Sequence, residues 1–207
     1  MIGVIDYGVG NLYSLNASFR SLGAELLLSD DPAVLAQADR LILPGVGAFG
    51  DAAEKLREKQ LDLFLQKEAE KGKLILGICL GMQLLFEKSY EYGEHKGLGL
   101  IKGRITPIAD QVPAGLKIPH MGWNALQLTR PHPLFSGIRE GDCVYFVHSY
   151  AAVHCDEDTL ARTEYGAPLT AAVGRENVLG CQFHPEKSGK VGLSILKAFC
   201  EMEADAL

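Results

Sequence analysis

The chain has 207 residues, of which 47% are hydrophobic and 22% are charged, and its formal net charge is −6. These proportions are typical of a globular protein, and the length suits one domain, which we expect to span residues 1–207. The negative charge argues against a protein that binds nucleic acid or a membrane surface, because such proteins usually present a basic face. The longest apolar run, residues 74–86, is too short for a membrane-spanning helix.

The cysteines and the first residues predict the cellular compartment. The five cysteines lack the spacing of a disulfide framework, which favours reduced thiols. The opening segment MIGVIDYG lacks the charged start and long apolar centre of a signal peptide, and has the pattern of a strand. We therefore expect a cytoplasmic protein.

Strand-like apolar runs alternate with segments of helical periodicity in the first half of the chain. Continuous apolar strands that alternate with helices predict a parallel sheet covered on both faces. The predicted strands are residues 1–6, 24–29, 39–45 and 73–78, and the predicted helices are residues 12–23, 51–71 and 80–87.

The second half has a different pattern. Several strand-like segments follow one another with short turns, which indicates antiparallel or mixed additions to the sheet. An amphipathic helix is predicted at residues 189–203. The predicted strands are residues 117–129, 142–154, 160–166, 169–176 and 177–186. Together the two halves predict one α/β domain with a mixed, mostly parallel sheet.

Cys79 lies between Gly77 and Gly81, where the fourth predicted strand meets a helix. This spacing is that of a nucleophile elbow, a tight turn that projects a reactive side chain away from the sheet. The free N–H groups and the dipole of the following helix favour a thiolate, and the Leu80 N–H can stabilise an oxyanion. A buried structural cysteine is the alternative. We expect the other four to be core residues: Cys143, Cys155, Cys181 and Cys200.

A thiolate that attacks an amide needs a proton donor, and His184 is the best candidate among six histidines. Glu186 follows two residues later, and Pro185 stiffens the segment between them. At the end of a strand, residues two apart lie on the same side, so the carboxylate can orient the imidazole. A surface turn without chemistry is the alternative. The pair His154-Cys155 lacks the spacing of a zinc site, and we predict no metal.

The segment LPGVGAFGD, residues 43–51, ends the third predicted strand in a glycine-rich loop. In a parallel sheet the carboxyl ends of the strands form the site, so this loop is expected near Cys79. Its N–H groups, at Val46 or Gly47, are candidates for a second oxyanion donor. A simple turn is the alternative. No Lys-Ser/Thr follows as in a phosphate loop, and residues 8–13 lack the third glycine of a dinucleotide site, so we predict no cofactor.

The segments PGVGAFGD, GICLGMQLLFE and HPEKS resemble, in order and spacing, the class I glutamine amidotransferases, which hydrolyse glutamine to glutamate and ammonia. The resemblance spans the chain from its first strand to its closing helix. It implies a flavodoxin-like three-layer sandwich, with Cys79 as nucleophile, His184 as general acid and base, and Glu186 as its orienting partner. It also implies a pocket for L-glutamine lined by Gln83, Ser149 and Tyr150.

Other segments, DYGVGN, PHMGWN, YFVHSY and CQFHPEKSG, resemble the branch of the family that serves histidine biosynthesis. In that branch the glutaminase is a separate chain that forms a heterodimer with a cyclase. The cyclase is a (β/α)₈ barrel that makes imidazole glycerol phosphate and AICAR from ammonia received through a shielded channel. The implied interface residues are Asn11, Trp123, Tyr145 and Lys187. For Trp123, the chain's sole tryptophan, a core position is an equal alternative.

Three other functions stay open at this point. The branch that serves pyridoxal phosphate synthesis is also a short separate chain, but it typically has Pro-Gly-Gly-Glu-Ser where this chain has residues 44–48. A general cysteine hydrolase or protease would need neither Gln83 nor a companion chain. A module that only binds is disfavoured by the intact triad of Cys79, His184 and Glu186.

Overall fold

The structure is a computed structural model, and it describes residues 1–203. The strands along the chain are β1 (Ile2–Ile5), β2 (Leu26–Ser29), β3 (Arg40–Leu43), β4 (Leu74–Ile78), β5 (Phe86–Ser89), β6 (His95–Lys96), β7 (Ile101–Pro107), β8 (His120–Ala125), β9 (Gln127–Leu128), β10 (Cys143–His148), β11 (Tyr150–Val153), β12 (Thr159–Glu164), β13 (Pro168–Arg175) and β14 (Val178–Cys181). The helices are α1 (Leu12–Ser21), α2 (Pro32–Leu35), α3 (Phe49–Glu58), α4 (Leu61–Glu70), α5 (Leu80–Leu84) and α6 (Gly189–Glu201).

The largest sheet has eight strands in the order β2-β1-β3-β4-β14-β13-β12-β9. The five strands from β2 to β14 are parallel, and β13, β12 and β9 continue the sheet in antiparallel pairs. The prediction of a mixed, mostly parallel sheet with antiparallel additions in the second half is therefore confirmed. Strand β14 returns from late in the chain to pair with β4, directly beside the predicted elbow.

Helices cover both faces of this sheet and create two separate cores. Because side chains alternate along a strand, Leu41 and Leu43 of β3 pack into one core and Ile42 packs into the other. The first core also contains the apolar faces of α3 and α4, and the second contains those of α1 and α6. This is the three-layer arrangement that the resemblance implied.

Two smaller sheets stand beside the large one. Strands β10 and β8 form an antiparallel pair, and β11, β7, β5 and β6 form a four-stranded sheet. The prediction of one continuous strand over residues 142–154 is wrong, because the chain leaves one small sheet and enters the other at Ser149. Strands β5, β6 and β7 were not predicted at all.

Two helix predictions are wrong in extent. The segment 51–71 is two helices, since Gln60 takes a left-handed conformation (φ 56°) that interrupts the hydrogen-bond ladder. The helix after Cys79 ends at Leu84 instead of continuing to residue 87. Backbone N–H groups from residues 98–101 donate to the carbonyls of residues 84–86, which turns this segment into a strand.

The cysteine predictions hold for two of the four residues outside the elbow. Cys155 and Cys181 are buried, whereas Cys143 is exposed at the start of β10 and Cys200 is only partly buried. Within residues 1–203, no helix has the length and apolar content needed to cross a membrane. In the same range no group of three or more His, Cys, Asp or Glu side chains is arranged to hold a metal ion.

Candidate active site

Cys79 stands at a strained joint between β4 and α5. Its backbone has φ 56° and ψ −112°, an unusual conformation for a residue other than glycine. Its N–H donates to the carbonyl of Cys181 at 2.7 Å, which extends the β4–β14 ladder by one bond. Glycines are required on both sides: a Cβ on Gly77 would lie 2.6 Å from the Gly81 oxygen, and one on Gly81 would clash with the Leu43 carbonyl. The glycine pattern therefore permits the elbow.

His184 and Glu186 meet as the sequence predicts, but through a different local structure. The imidazole Nδ1 lies 2.8 Å from Glu186 Oε1, and both side chains are buried. Strand β14 ends at Cys181, and a single 3₁₀ turn, Pro185–Lys187, brings the carboxylate back to the ring. The expected strand spacing is therefore wrong, although the contact it predicted is present.

The imidazole of His184 sits between two acidic groups. Burial by itself would lower the pKa of His184, but hydrogen bonds and charge interactions with Cys79 and Glu186 raise it to about 9. Because Nδ1 contacts Glu186, Nε2 is the ring nitrogen that serves the thiol. At neutral pH this arrangement holds an imidazolium beside the sulfur, with a proton ready for transfer.

A cavity of about 320 Å³ opens over the sulfur. Nine of the residues predicted from sequence line it: Val46, Gly47, Cys79, Leu80, Gln83, Ser149, Tyr150, His184 and Lys187. The structure thus brings together the elbow, the glycine-rich loop and the strand segment around Ser149. Glu186 contacts the His184 ring at Nδ1 and is not among the lining residues.

The glycine-rich loop packs directly on the elbow. A Cβ on Gly45 would lie 2.9 Å from both the Leu80 Cβ and the Gly81 N–H nitrogen, so only glycine permits this approach. The Tyr7 hydroxyl donates to the Pro44 carbonyl at 2.8 Å and fixes the start of the loop. The loop therefore places Val46 and Gly47 on the cavity wall.

Comparisons with known proteins agree with this geometry. The family model described as glutamine amidotransferase class-I matches residues 3–202. The chain belongs to the class-I glutamine amidotransferase family.

The curated relatives of this amidotransferase extend over almost its whole length. The imidazole glycerol phosphate synthase subunit HisH of Bacillus velezensis is 50% identical, covering 99% of this chain and 98% of the relative. The protein of the same name from Geobacillus kaustophilus is 52% identical, covering 96% of this chain and 95% of the relative.

Solved structures show the same fold at lower sequence identity. A crystal structure of a glutamine amidotransferase has a TM-score of 0.74 at 21% identity, covering 96% of this chain and 98% of that chain. The structure of PurLQS from Thermotoga maritima has a TM-score of 0.74 at 24% identity, covering 96% of both chains. At these identities the likeness concerns the fold alone.

Sequence reasoning missed several residues of the amidotransferase site. The cavity is also lined by Glu91, Pro119, Val147 and His148. Burial, together with the charges of His120 and His184, lowers the pKa of His148 to about 3, so this ring is neutral, and its Nδ1 donates to the Tyr150 carbonyl at 2.8 Å. A polar residue inside an apolar strand-like run was the available signal for His148.

Of the predicted interface residues, three lie together on the surface. The Trp123 side chain is 56% exposed, so the alternative core position is wrong. Its ring stands edge-on to Tyr145 at 6.1 Å, and the Lys187 Nζ lies 6.0 Å from the Tyr145 ring centre. Asn11 instead caps α1, where its side chain accepts a hydrogen bond from the Ser14 N–H.

Proposed function

We propose that this chain is the glutaminase subunit of an imidazole glycerol phosphate synthase in histidine biosynthesis. It hydrolyses L-glutamine to glutamate and ammonia and passes the ammonia to a cyclase. One observation carries the proposal: the elbow cysteine lines the same cavity as His184, whose ring contacts Glu186 on its other side. The near-full-length identity of about half to HisH subunits supports this branch over the one that serves pyridoxal phosphate synthesis.

The first half of the reaction transfers the glutamyl group to sulfur. The Cys79 thiolate attacks the side-chain amide carbon, and the carbonyl electron pair moves to oxygen. As the carbon–nitrogen bond breaks, His184 gives its Nε2 proton to the leaving nitrogen, and ammonia departs. Glu186 keeps the ring in position and stabilises its charged form.

The second half releases glutamate. The neutral imidazole of His184 takes a proton from water, and the resulting hydroxide attacks the thioester carbon. The carbon–sulfur bond then breaks, glutamate leaves, and the thiolate–imidazolium pair is restored. The same two side chains therefore serve both steps without a cofactor or metal.

The negative oxygen formed in each step needs donors fixed beside it. We assign the Leu80 N–H and the Val46–Gly47 peptide to this role. Loss of one such donor typically lowers the rate about 100- to 1,000-fold. The cavity of about 320 Å³ lies at the small end of ligand sites, which suits an amino acid. We assign the amino-acid end of glutamine to Gln83 and to the backbone of Ser149 and Tyr150.

The partner in this proposal is a (β/α)₈-barrel cyclase that forms a heterodimer with this single-domain chain in the cytoplasm. Ammonia is readily lost to protonation in water, so a glutaminase that works alone would waste its substrate. We assign the interface to Trp123, Tyr145 and Lys187, with Asn11 at its edge. Tryptophan is enriched at the centres of interfaces, and the exposed Met121 is Trp123's neighbour two residues away on β8.

The glycine-rich loop is a suitable control point in this proposal. Its start is fixed by the Tyr7–Pro44 hydrogen bond, and where it enters α3 the Phe49 N–H donates to the Glu91 carboxylate at 2.6 Å. Between them Gly47 has φ +97°, and nothing lies near its Cβ position. The Val46–Gly47 peptide can therefore turn its N–H towards the oxyanion when a liganded cyclase binds. We expect slow glutamine hydrolysis by the chain alone.

The decisive experiment mixes this chain with a histidine-pathway cyclase and its nucleotide substrate, and follows the glutamine-dependent formation of imidazole glycerol phosphate. Cys79→Ala should abolish that activity and leave the reaction driven by ammonium salts intact. Product formation by the Cys79→Ala complex from glutamine would contradict the proposal. A pull-down that recovers a pyridoxal phosphate synthase instead of the cyclase would favour the other branch.

A further inference from the structure

A second buried glutamine contacts the nucleophile from the neighbouring strand. Gln182 directly follows β14 and is fully buried, and its N–H donates to the Ala171 carbonyl at 2.8 Å. Its side-chain Nε2 lies 3.8 Å from Cys79 Sγ. Its Oε1 accepts a hydrogen bond of 2.9 Å from Gln83 Nε2. The three side chains form a row from the pocket wall to the sulfur.

The hydrogen-bond partners fix the orientation of both amides. The Tyr150 carbonyl can only accept, so the Gln83 atom 3.1 Å away from it must be the NH₂ group. That same NH₂ group contacts Gln182, so the Gln182 atom facing it must be the oxygen. The NH₂ group of Gln182 is then the end that faces Cys79, and it donates towards the sulfur.

The sulfur is placed between groups that favour opposite protonation states. The Val147 carbonyl lies 4.0 Å from Sγ and can only accept, so it favours the thiol. The Gln182 amide can only donate at that end, so it favours the thiolate, as the His184 imidazolium does from its own side. In a buried site such a donor has a large effect, because no water replaces it.

We propose that Gln182 is a positioning residue for Cys79, whose amide N–H orients the sulfur and stabilises its thiolate form. Gln83 acts through Gln182, because it holds the amide in the only orientation that presents a donor. The consequence for glutamine hydrolysis rests on the function proposed above. The effect on the thiol itself does not, and it can be measured without glutamine or a partner.

The test is the pH dependence of alkylation of the intact chain by iodoacetamide, with modification at each cysteine quantified by mass spectrometry. The exposed Cys143 serves as the internal reference in every sample. In Gln182→Met, which keeps the length but removes the donor, we expect Cys79 to react about three- to tenfold more slowly at pH values below its ionisation midpoint. At high pH, where all thiols are ionised, the Cys79 rate should equal that of the unsubstituted chain.

This profile separates positioning from a merely structural role. A displaced thiol would react more slowly at every pH, and that result would overturn the proposal, as would an unchanged ionisation midpoint of Cys79.

If Gln182→Met does not fold, as judged by circular dichroism, Gln83→Met replaces it, because it releases the Gln182 amide without altering residue 182. A midpoint shifted in the same direction supports the proposal, and an unshifted one refutes it. Failure of glutamine turnover in the unsubstituted complex would refute the proposed function alone.

Discussion

The backbone N–H of Cys79 donates to the Cys181 carbonyl at 2.7 Å, so the last bond of the β4–β14 ladder holds Cys79 in its strained conformation. Three residues beyond Cys181 the chain reaches His184, and one turn later it reaches Glu186. The thiol of Cys79 and the imidazole of His184 are therefore fixed relative to each other by neighbouring parallel strands. Distant parts of the sequence meet at one edge of the sheet, where parallel strands bring their carboxyl ends together.

Gly81→Ala should destabilise the protein because the new Cβ would clash with the Leu43 carbonyl oxygen, which belongs to backbone and cannot swing aside. We expect a loss of about 1–3 kcal/mol in the free energy of unfolding, measured by urea denaturation. Gly137→Ala is the matched control, since the nearest atom to its Cβ would be the Ser194 side-chain Cβ at 3.2 Å, and the nearest backbone atom would lie at an ordinary contact distance of 3.8 Å. Equal losses in the two variants would show that crowding does not explain the glycine at the elbow.

Glu186→Gln should lower the glutaminase rate of the complex by at least about 100-fold, because the imidazolium loses its orienting charge. The pKa of His184 is raised to about 9, so the ring keeps its proton at neutral pH and loses it as the pH rises through about 9. Activity should therefore fall on the alkaline side, and in the variant this fall should begin at lower pH. The measurement is kcat against pH with the cyclase present. An unmoved alkaline limb would contradict the assignment of Glu186.

Gly47→Ala should reduce glutamine-dependent activity of the complex about 10- to 1,000-fold, since φ +97° strains an alanine in the loop that we propose as the second oxyanion donor. The ammonium-driven reaction should be unchanged. Gly115→Ala provides the control: Gly115 has φ +98° and an equally open surrounding, but it does not line the cavity. If both variants lose the same fraction of activity, the effect is general strain and the loop is not the control point.

Trp123→Ala should weaken binding of the cyclase about 30-fold or more, the loss typical of an aromatic side chain at an interface centre. The side chain is exposed, so its removal should leave the unfolding free energy nearly unchanged. Isothermal titration calorimetry with the purified cyclase measures the difference. Leu63→Ala, which removes an exposed apolar side chain on α4, should not alter affinity. Affinity that survives Trp123→Ala would place the interface elsewhere.

The parts of the site predicted from sequence depend on short-range pattern. The elbow at Cys79 is defined by glycines two residues away, and the His184–Glu186 contact spans one turn, so short segments contain both patterns. Each segment alone left an alternative open, a buried cysteine or a plain surface turn, and the resemblance of the segments taken together favoured the active site. Gln182 escaped prediction because its role depends on the pairing of β14 with β4 across about a hundred residues. The amide pair with Gln83 follows from that pairing and not from either local sequence.

In the fold, too, the local features were predictable from sequence and the features set by distant contacts were not. Strands β1 to β4 and the sheet class were predictable, since long apolar runs in alternation with helices are a local property. The end of α5 was not predictable, because it depends on distant contacts. The carbonyls of Leu84, Leu85 and Phe86 accept hydrogen bonds from N–H groups of residues 98–101. The break at Gln60 was also hidden, since the apolar spacing continues across it while the backbone turns left-handed.

At Ser149 the chain crosses from β10 to β11, so the cavity over Cys79 is formed by both the large sheet and the two small sheets. The reactive thiol and imidazole belong to the eight-stranded sheet, but the wall that would recognise an amino acid is shared between two minor sheets. His184 also depends on a minor sheet, because its N–H donates to the Tyr145 carbonyl of β10 at 2.9 Å. A scaffold designed for this activity would therefore need the junction of β10 and β11 at Ser149 as well as the side chains of Cys79, His184 and Glu186.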